Sequence, residues 1–287
     1  MLAKICLSII FLLCQQIAAV MHNYITGAKF RECADYIIES YPCSWNPEEI
    51  EPKSVIYIKC DYIDYFFTMI FPRIKHPIII ISHNGDWPAP NKWASYLDDP
   101  KIIMWFGQNC DIAPHEKFCP IPIGIANPIW KHGNPFIFDA VLDYIDNKKN
   151  IDKRSQLYIN FASDTNIIRS KLCMLFQEKP FVHCAARMSL VRYLFDLSQY
   201  KFILSPFGNG LDCHRTWEAL LVGTIPVVKT STIDTLYKDL PVIIVQDWDE
   251  ITEDFLEEQY EKIKKQYFNK EKLFMDYWIN IINRYKR

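Results

Sequence analysis

Glycine is scarce in this 287-residue chain, with 8 residues against 17 prolines, and no tract of biased composition or internal repeat is present. With half the residues hydrophobic and 15% aromatic, that excludes a disordered bulk and marks a globular protein. An excess of positive charge is also missing: 32 Lys and Arg face 34 Asp and Glu, for a net charge of -2. No basic block is interleaved with aromatics, so nothing supports a nucleic-acid partner. The chain has no CxxC pair, which argues against a structural zinc site. It has no Asn-x-Ser/Thr acceptor, so glycosylation lends no support to a lumenal address. Neither GxGxxG nor GxxxxGK[ST] occurs, which removes the two best-defined phosphate loops.

What is present begins with Met1 to Ala19, where Lys4 precedes an apolar run from Ile5 to Leu13 and a small-residue exit at Ile17-Ala18-Ala19. This is the layout of a secretory signal. Gln15-Gln16 interrupts the run, leaving a weak type II anchor or a buried element as alternatives. A secretory-pathway location, ER or Golgi lumen or secreted, follows from the first two, with membrane contact only through such an anchor. Ten cysteines are many for a cytosolic chain of this size. Eight lie beyond the signal, and Cys33/Cys43 and Cys110/Cys119 are the pairs nearest in sequence should an oxidising compartment permit disulfides.

The length holds two domains. Strand-like runs at KSVIYIK (53–59), PIIIIS (77–82) and KIIMWF (101–106) alternate with helical patterns at 61–71 and 91–97. After a polar connection at 139–153, the alternation resumes with LYINF (157–161), a helix at 167–177, a strand at 181–184, a helix at 188–198, YKFIL (200–204) and VIIV (242–245). Alternation of this kind predicts parallel α/β sheets. The domains expected are 20–150 and 151–287, the latter ending in amphipathic helices.

The densest stretch is Ser205 to Val228, SPFGNGLDCHRTWEALLVGTIPVV. Pro206 ends the preceding strand, and Gly208-Asn209-Gly210 tolerates φ > 0, allowing a sharp turn and close approach to a ligand. Asp212 stands where an N-cap belongs, a helix runs from Cys213 to Val222, Gly223 is a natural C′ residue, and TIPVV returns as a strand. A strand, a glycine loop and a helix start together form an anion site. His214 and Arg215 lie in the first turn, with Glu218 one turn further on the same face. A cation for phosphate beside a carboxylate for sugar hydroxyls suits a nucleotide sugar, although Arg215 and Glu218 also fit a plain exposed ion pair.

Two further loops follow strands, where ligands bind in such sheets. His83 and Asp86 (SHNGDWP) are candidates for the base that deprotonates an acceptor hydroxyl, or for an Asx-type turn capped by Asp86. Asn166 and Arg169 open a helix, so Arg169 is a candidate second phosphate contact or a surface arginine. Asp247-Trp248-Asp249 satisfies DxD, a metal-binding motif of one class of glycosyltransferases, yet fits an N-capping loop better.

The string GNG-D-HR-WE-L-G-IPVV resembles the C-terminal signature of exostosin-like glycosyltransferases, especially the ribitol xylosyltransferase type. SHNGDWP, WFGQN and IPIGIAN look like motifs of the same relatives. The resemblance implies an α/β GT-B fold, with two Rossmann-like domains whose parallel sheets face across a cleft and terminal helices that cross back to the first domain. It further implies a UDP-sugar donor (UDP-xylose, UDP-GlcNAc or UDP-glucuronate first), a glycan or glycoprotein acceptor, and no obligatory metal. Donor contacts would come from Arg169, Gly208, Asn209, Gly210, Asp212, His214, Arg215 and Glu218, and acceptor chemistry from Asp86 and His83. A carbohydrate-binding protein without turnover and a nucleotidase-like or kinase-like phosphate-handling enzyme are the rival readings.

Overall fold

The computed structural model describes residues 22–148 and 151–287, so the signal or anchor expected at 1–19 lies outside the described residues. The described chain builds two five-stranded sheets, parallel throughout.

In the first sheet β1 (Tyr36–Ile38), β2 (Val55–Lys59), β3 (Ile78–His83), β4 (Ile102–Gly107) and β5 (Phe118–Pro120) lie side by side in chain order. Ile78 to Ile81 are fully buried, as a continuous β-branched run requires when both faces of a strand are covered. The order never reverses, so this half lacks the switch point of a doubly wound Rossmann sheet. Residues 61–71, expected as one helix, fall within a series of short helical turns of different pitch over 60–73. Pro72 removes a donor there, and Phe66, Phe67 and Phe71 pack ring against ring into the core.

The first half opens with the short helix α1 (Gly27–Glu32), and the second half contains α2 (Pro135–Asn147), β6 (Arg154–Ile159), α3 (Ile167–Phe176), β7 (Val182–Cys184), α4 (Leu190–Ser198), β8 (Tyr200–Leu204), α5 (His214–Leu221), β9 (Ile225–Lys229), β10 (Ile243–Val245) and α6 (Glu253–Ile263). Its strands are ordered β7-β6-β8-β9-β10. Counted from β6 this is the 2-1-3-4-5 order of a doubly wound sheet, whose ligand crevice lies where the winding reverses, beyond the ends of β6 and β8. Its two faces are separately covered: Leu157, Ile159, Phe202 and Leu204 pack with α3 and α6, whereas Tyr158 and Ile203 pack with α2, α4 and α5. Much of the stretch 139–153, expected as a connection, is helix, because α2 is capped by Asn134 and buries Phe138 and Val141.

The last helix, α7 (Met275–Lys286), lies against the first sheet: Met275, Trp278 and Ile282 join its core, and Tyr285 meets Phe106 at 5.8 Å between ring centroids. None of the eight described cysteines is bridged. The Cys33 and Cys43 thiols donate instead to the carbonyls of Lys29 and Trp45, each at 3.4 Å. No helix among the described residues is long and apolar enough to cross a membrane.

The halves meet near Gly124, whose φ is +66° and whose carbonyl accepts from His214 Nδ1 at 2.7 Å. A Cβ at this position would stand 2.1 Å from the Ile25 carbonyl oxygen. Gly124→Ala is expected to lower unfolding stability by about 2 kcal/mol or more in chemical denaturation. A variant as stable as the parent would contradict this packing.

A candidate donor and acceptor site at the seam

Three strand ends converge at the seam. The loop after β3 carries Asn84 with φ +57° and leads to Asp86, and β4 leads to Asn109 with φ +54°. From β8 the chain enters the glycine loop. Asn109 ties these loops together: its Nδ2 donates to the carbonyls of Gly85 and Asp86 at 3.4 and 3.3 Å, and its Oδ1 accepts from the Asp212 amide at 3.0 Å. Asn209 Nδ2 reaches across to Asp86 Oδ2 at 3.1 Å.

The glycines of the loop serve close packing rather than unusual torsion, for neither Gly208 nor Gly210 is among the positive-φ residues. A Cβ at Gly208 would sit 2.9 Å from Arg169 Nη2, and one at Gly210 would sit 2.4 Å from Asn109 Nδ2. Gly223 does adopt the left-handed conformation (φ +73°) expected of a C′ residue.

Asp212 does not reach for a ligand. It lies one residue before Cys213, the N-cap of α5, and its carboxylate accepts from Ile123 N at 2.7 Å, Cys213 N at 2.9 Å and Trp217 Nε1 at 2.9 Å. Burial raises its pKa to about 6 against the pull of these donors. Arg169 is likewise committed to the protein: Nε donates to Phe207 O at 3.0 Å, and Nη2 donates to Pro206 O at 3.2 Å, which holds the glycine loop from behind. Asn166 caps α3 and donates to Gly208 O at 2.9 Å.

A cavity of about 710 Å³ opens at the β6/β8 reversal. Arg215 projects into its wall, with Nε donating to Asn160 O at 3.1 Å and the guanidinium 5.1 Å from the Phe161 ring centroid. Arg169 flanks the same ring at 5.6 Å. Arg215 Nη1 is buried and has no hydrogen-bond partner among the described residues. One turn on, Glu218 is 7% exposed. Burial, outweighing the Arg215 charge and the Tyr193 hydroxyl, lifts its pKa to about 7. Tyr193 OH, also buried, lies beside Glu218 beyond hydrogen-bond geometry. The side chain of Cys213 makes no cap bond, so the first turn of α5 faces this cavity without a side-chain cap.

A second cavity of about 720 Å³ lies on the first half, and Asp86, Ile123 and His214 line both. His214 donates through Nδ1 to Gly124, and burial holds its pKa below the usual imidazole value. His83 is removed from the role of free base. Its Nε2–H donates to Pro122 O at 3.0 Å, its Nδ1 accepts from Asn84 N at 2.7 Å, and burial depresses its pKa to about 4. Asp86 is exposed at the junction, with Asn209 as its side-chain partner.

The DxD stretch forms a capping box: Asp247 Oδ1 accepts from Trp248 N at 2.8 Å, and Glu250 Oε1 accepts from Asp247 N at 2.6 Å. Among the described residues no cluster of His, Cys, Asp or Glu is placed to hold a metal ion. Asn109 and Tyr193 escape a local reading of the sequence. The signal for Asn109 is its place directly after an apolar strand, in WFGQN; for Tyr193, inside an amphipathic helix, there is none.

The C-terminal half is thus a doubly wound α/β domain with a cationic cavity at its switch point. Residues 149–284 match the family described as the RXYLT1 C-terminal domain. No curated protein matches the chain significantly. Among solved structures it is similar to one titled "Crystal structure of GtfA/B complex", at 10% identity and a TM-score of 0.34, over 83% of this chain and 56% of that one. The chain therefore spans little more than half of that structure's chain, and so low a score adds nothing to the fold described above.

Glu218 gives the site a pH signature. A carboxyl whose folded pKa is raised contributes stability below its unfolded pKa, near 4.3, and loses it as pH rises toward 7. Glu218→Gln is expected to gain on the parent across that window, by up to about 3 kcal/mol at pH 7, in denaturation midpoints measured against pH. A difference independent of pH would show that Glu218 is not buried in charged form.

Proposed function

We propose that the protein is a glycosyltransferase of the two-domain GT-B kind, moving a sugar from a nucleotide donor, UDP first, to a hydroxyl acceptor. The observation that carries this is the buried, unpartnered Nη1 of Arg215 beside Glu218, in a cavity at the switch point of an RXYLT1-type domain. Two guanidinium groups flank Phe161 with one nearby carboxylate whose pKa is about 7, so the cavity favours an anion. A diphosphate against Arg215 and the start of α5 supplies one. Glu218 then accepts from ribose hydroxyls, and the backbone of 208–210 closes over the phosphates.

Transfer takes place where the cavities join. The acceptor oxygen bonds to the anomeric carbon as the bond from that carbon to the diphosphate oxygen breaks, and the acceptor proton passes to Asp86. The departing UDP keeps its charge against Arg215, which performs the electrostatic work without an obligatory metal. His214 borders both ligands and orders the junction through Gly124.

Calorimetry with UDP is expected to show saturable binding, weakened at least about tenfold in Arg215→Ala through loss of a charged hydrogen bond. Asp86→Asn is expected to keep UDP affinity and to lose transfer about 10²- to 10⁴-fold, read as acceptor-dependent UDP release. Failure of the folded parent to bind UDP, or undiminished transfer by Asp86→Asn, would overturn the respective assignment.

A further inference from the structure

We propose that the acceptor is an uncharged glycan, gripped in the first-half cavity between Trp87 and Trp130; this rests on the transferase reading above. The two cavities meet at Asp86 and His214 but differ in charge. Every cation among the described residues lining the acceptor-side cavity is already matched or neutral: Lys59 is 2.6 Å from Asp61, and the two imidazoles, His83 and His214, are held below their usual pKa by burial. Glu39 is paired with Arg31, through bonds of 2.8 and 2.9 Å. That leaves Asp86 and its negative charge facing the space, where a phosphate, sulfate or carboxylate on the ligand would be repelled and find no free partner. The donor cavity, with Arg215 and Arg169 in its wall, is the opposite case.

The walls also state what fits. Trp87 and Trp130 are 62% and 59% exposed, and both border this one cavity. Large exposed aromatics so placed mark a binding surface, and flat rings suit the C–H faces of sugars. The lining also carries the neutral amides of Asn84 and Asn127, joined by a bond from Asn127 Nδ2 to Asn84 Oδ1 at 2.9 Å, while Gln108 is held from behind by Gly85 O and Asn84 N. Tyr57 is fully buried in the strand beneath, with its hydroxyl near Asn84. Apolar faces together with uncharged hydrogen-bonding groups are the chemistry of a neutral oligosaccharide.

The test uses the full chain with saturating UDP on an array of neutral oligosaccharides and their sulfated, phosphorylated and sialylated counterparts. UDP affinity is measured separately for the parent, Trp87→Ala and Trp130→Ala. Retention of neutral glycans is expected, with charged counterparts at least about tenfold weaker. Each tryptophan variant should lose about tenfold or more in glycan binding, while UDP affinity stays within about twofold. Preference for charged glycans, retention of none, unchanged glycan binding by both variants, or a matching loss of UDP affinity would overturn the proposal. Absence of UDP binding by the parent would strike the donor assignment alone, since neutral glycan capture and its dependence on the tryptophans still decide the acceptor question.

Discussion

Between the two sheets a single buried carboxylate, Asp212, accepts hydrogen bonds from both halves of the chain. Ile123 N reaches it from the first half at 2.7 Å, while Cys213 N and the Trp217 indole reach it from the start of α5. Its own amide donates to Asn109, completing the tie. Burial works against the charge, and the pKa of about 6 records that opposition. A buried ion of this kind is tolerated only while its donors stay in place, so the contact sets geometry at a cost in stability. Everything the site needs from α5 depends on it: the direction of the first turn, His214 against Gly124, and Arg215 against Phe161.

With α5 so held, one seam serves two unlike cavities. Toward β6 and β8 the walls present guanidinium groups and a carboxyl poised near neutrality. Toward the first sheet they present amides, exposed indoles and Asp86. Asp86 stands where these surfaces meet and is joined to the glycine loop through Asn209. Under the proposed transfer, this placement sets the donor's anion on one side, a hydroxyl-rich ligand on the other and Asp86 between them. α7, returning to the first sheet, strengthens the tie from the opposite end of the chain.

Much of this was legible in local sequence. The strand YKFIL appears as β8 at its expected limits, and Arg215 and Glu218 share a helix face because their spacing requires it. β1 and β5 went unread, whereas β7 and β10, equally short, were found because each follows a helical segment or an apolar run that the alternation of strands and helices led to. The first sheet's strand order was beyond reach as well, since alternation of strands and helices predicts parallel pairing without fixing order. Asp212, Arg169 and His83 looked like ligand contacts because their side-chain chemistry suits one. Each has a partner far along the chain, 89, 37 and 39 residues away respectively, that no local pattern announces. The glycines of the loop were recognised as necessary for turning, whereas the necessity is the room taken by Arg169 and Asn109.

The most direct measurement is a crystal structure of the full chain with UDP. The diphosphate is expected within hydrogen-bond distance of Arg215 Nη1, with ribose hydroxyls on Glu218 and the seam around Asp212 unchanged. UDP seated away from the β6/β8 reversal, or an Arg215 guanidinium that remains without an anion at saturating UDP, would contradict the donor site described here.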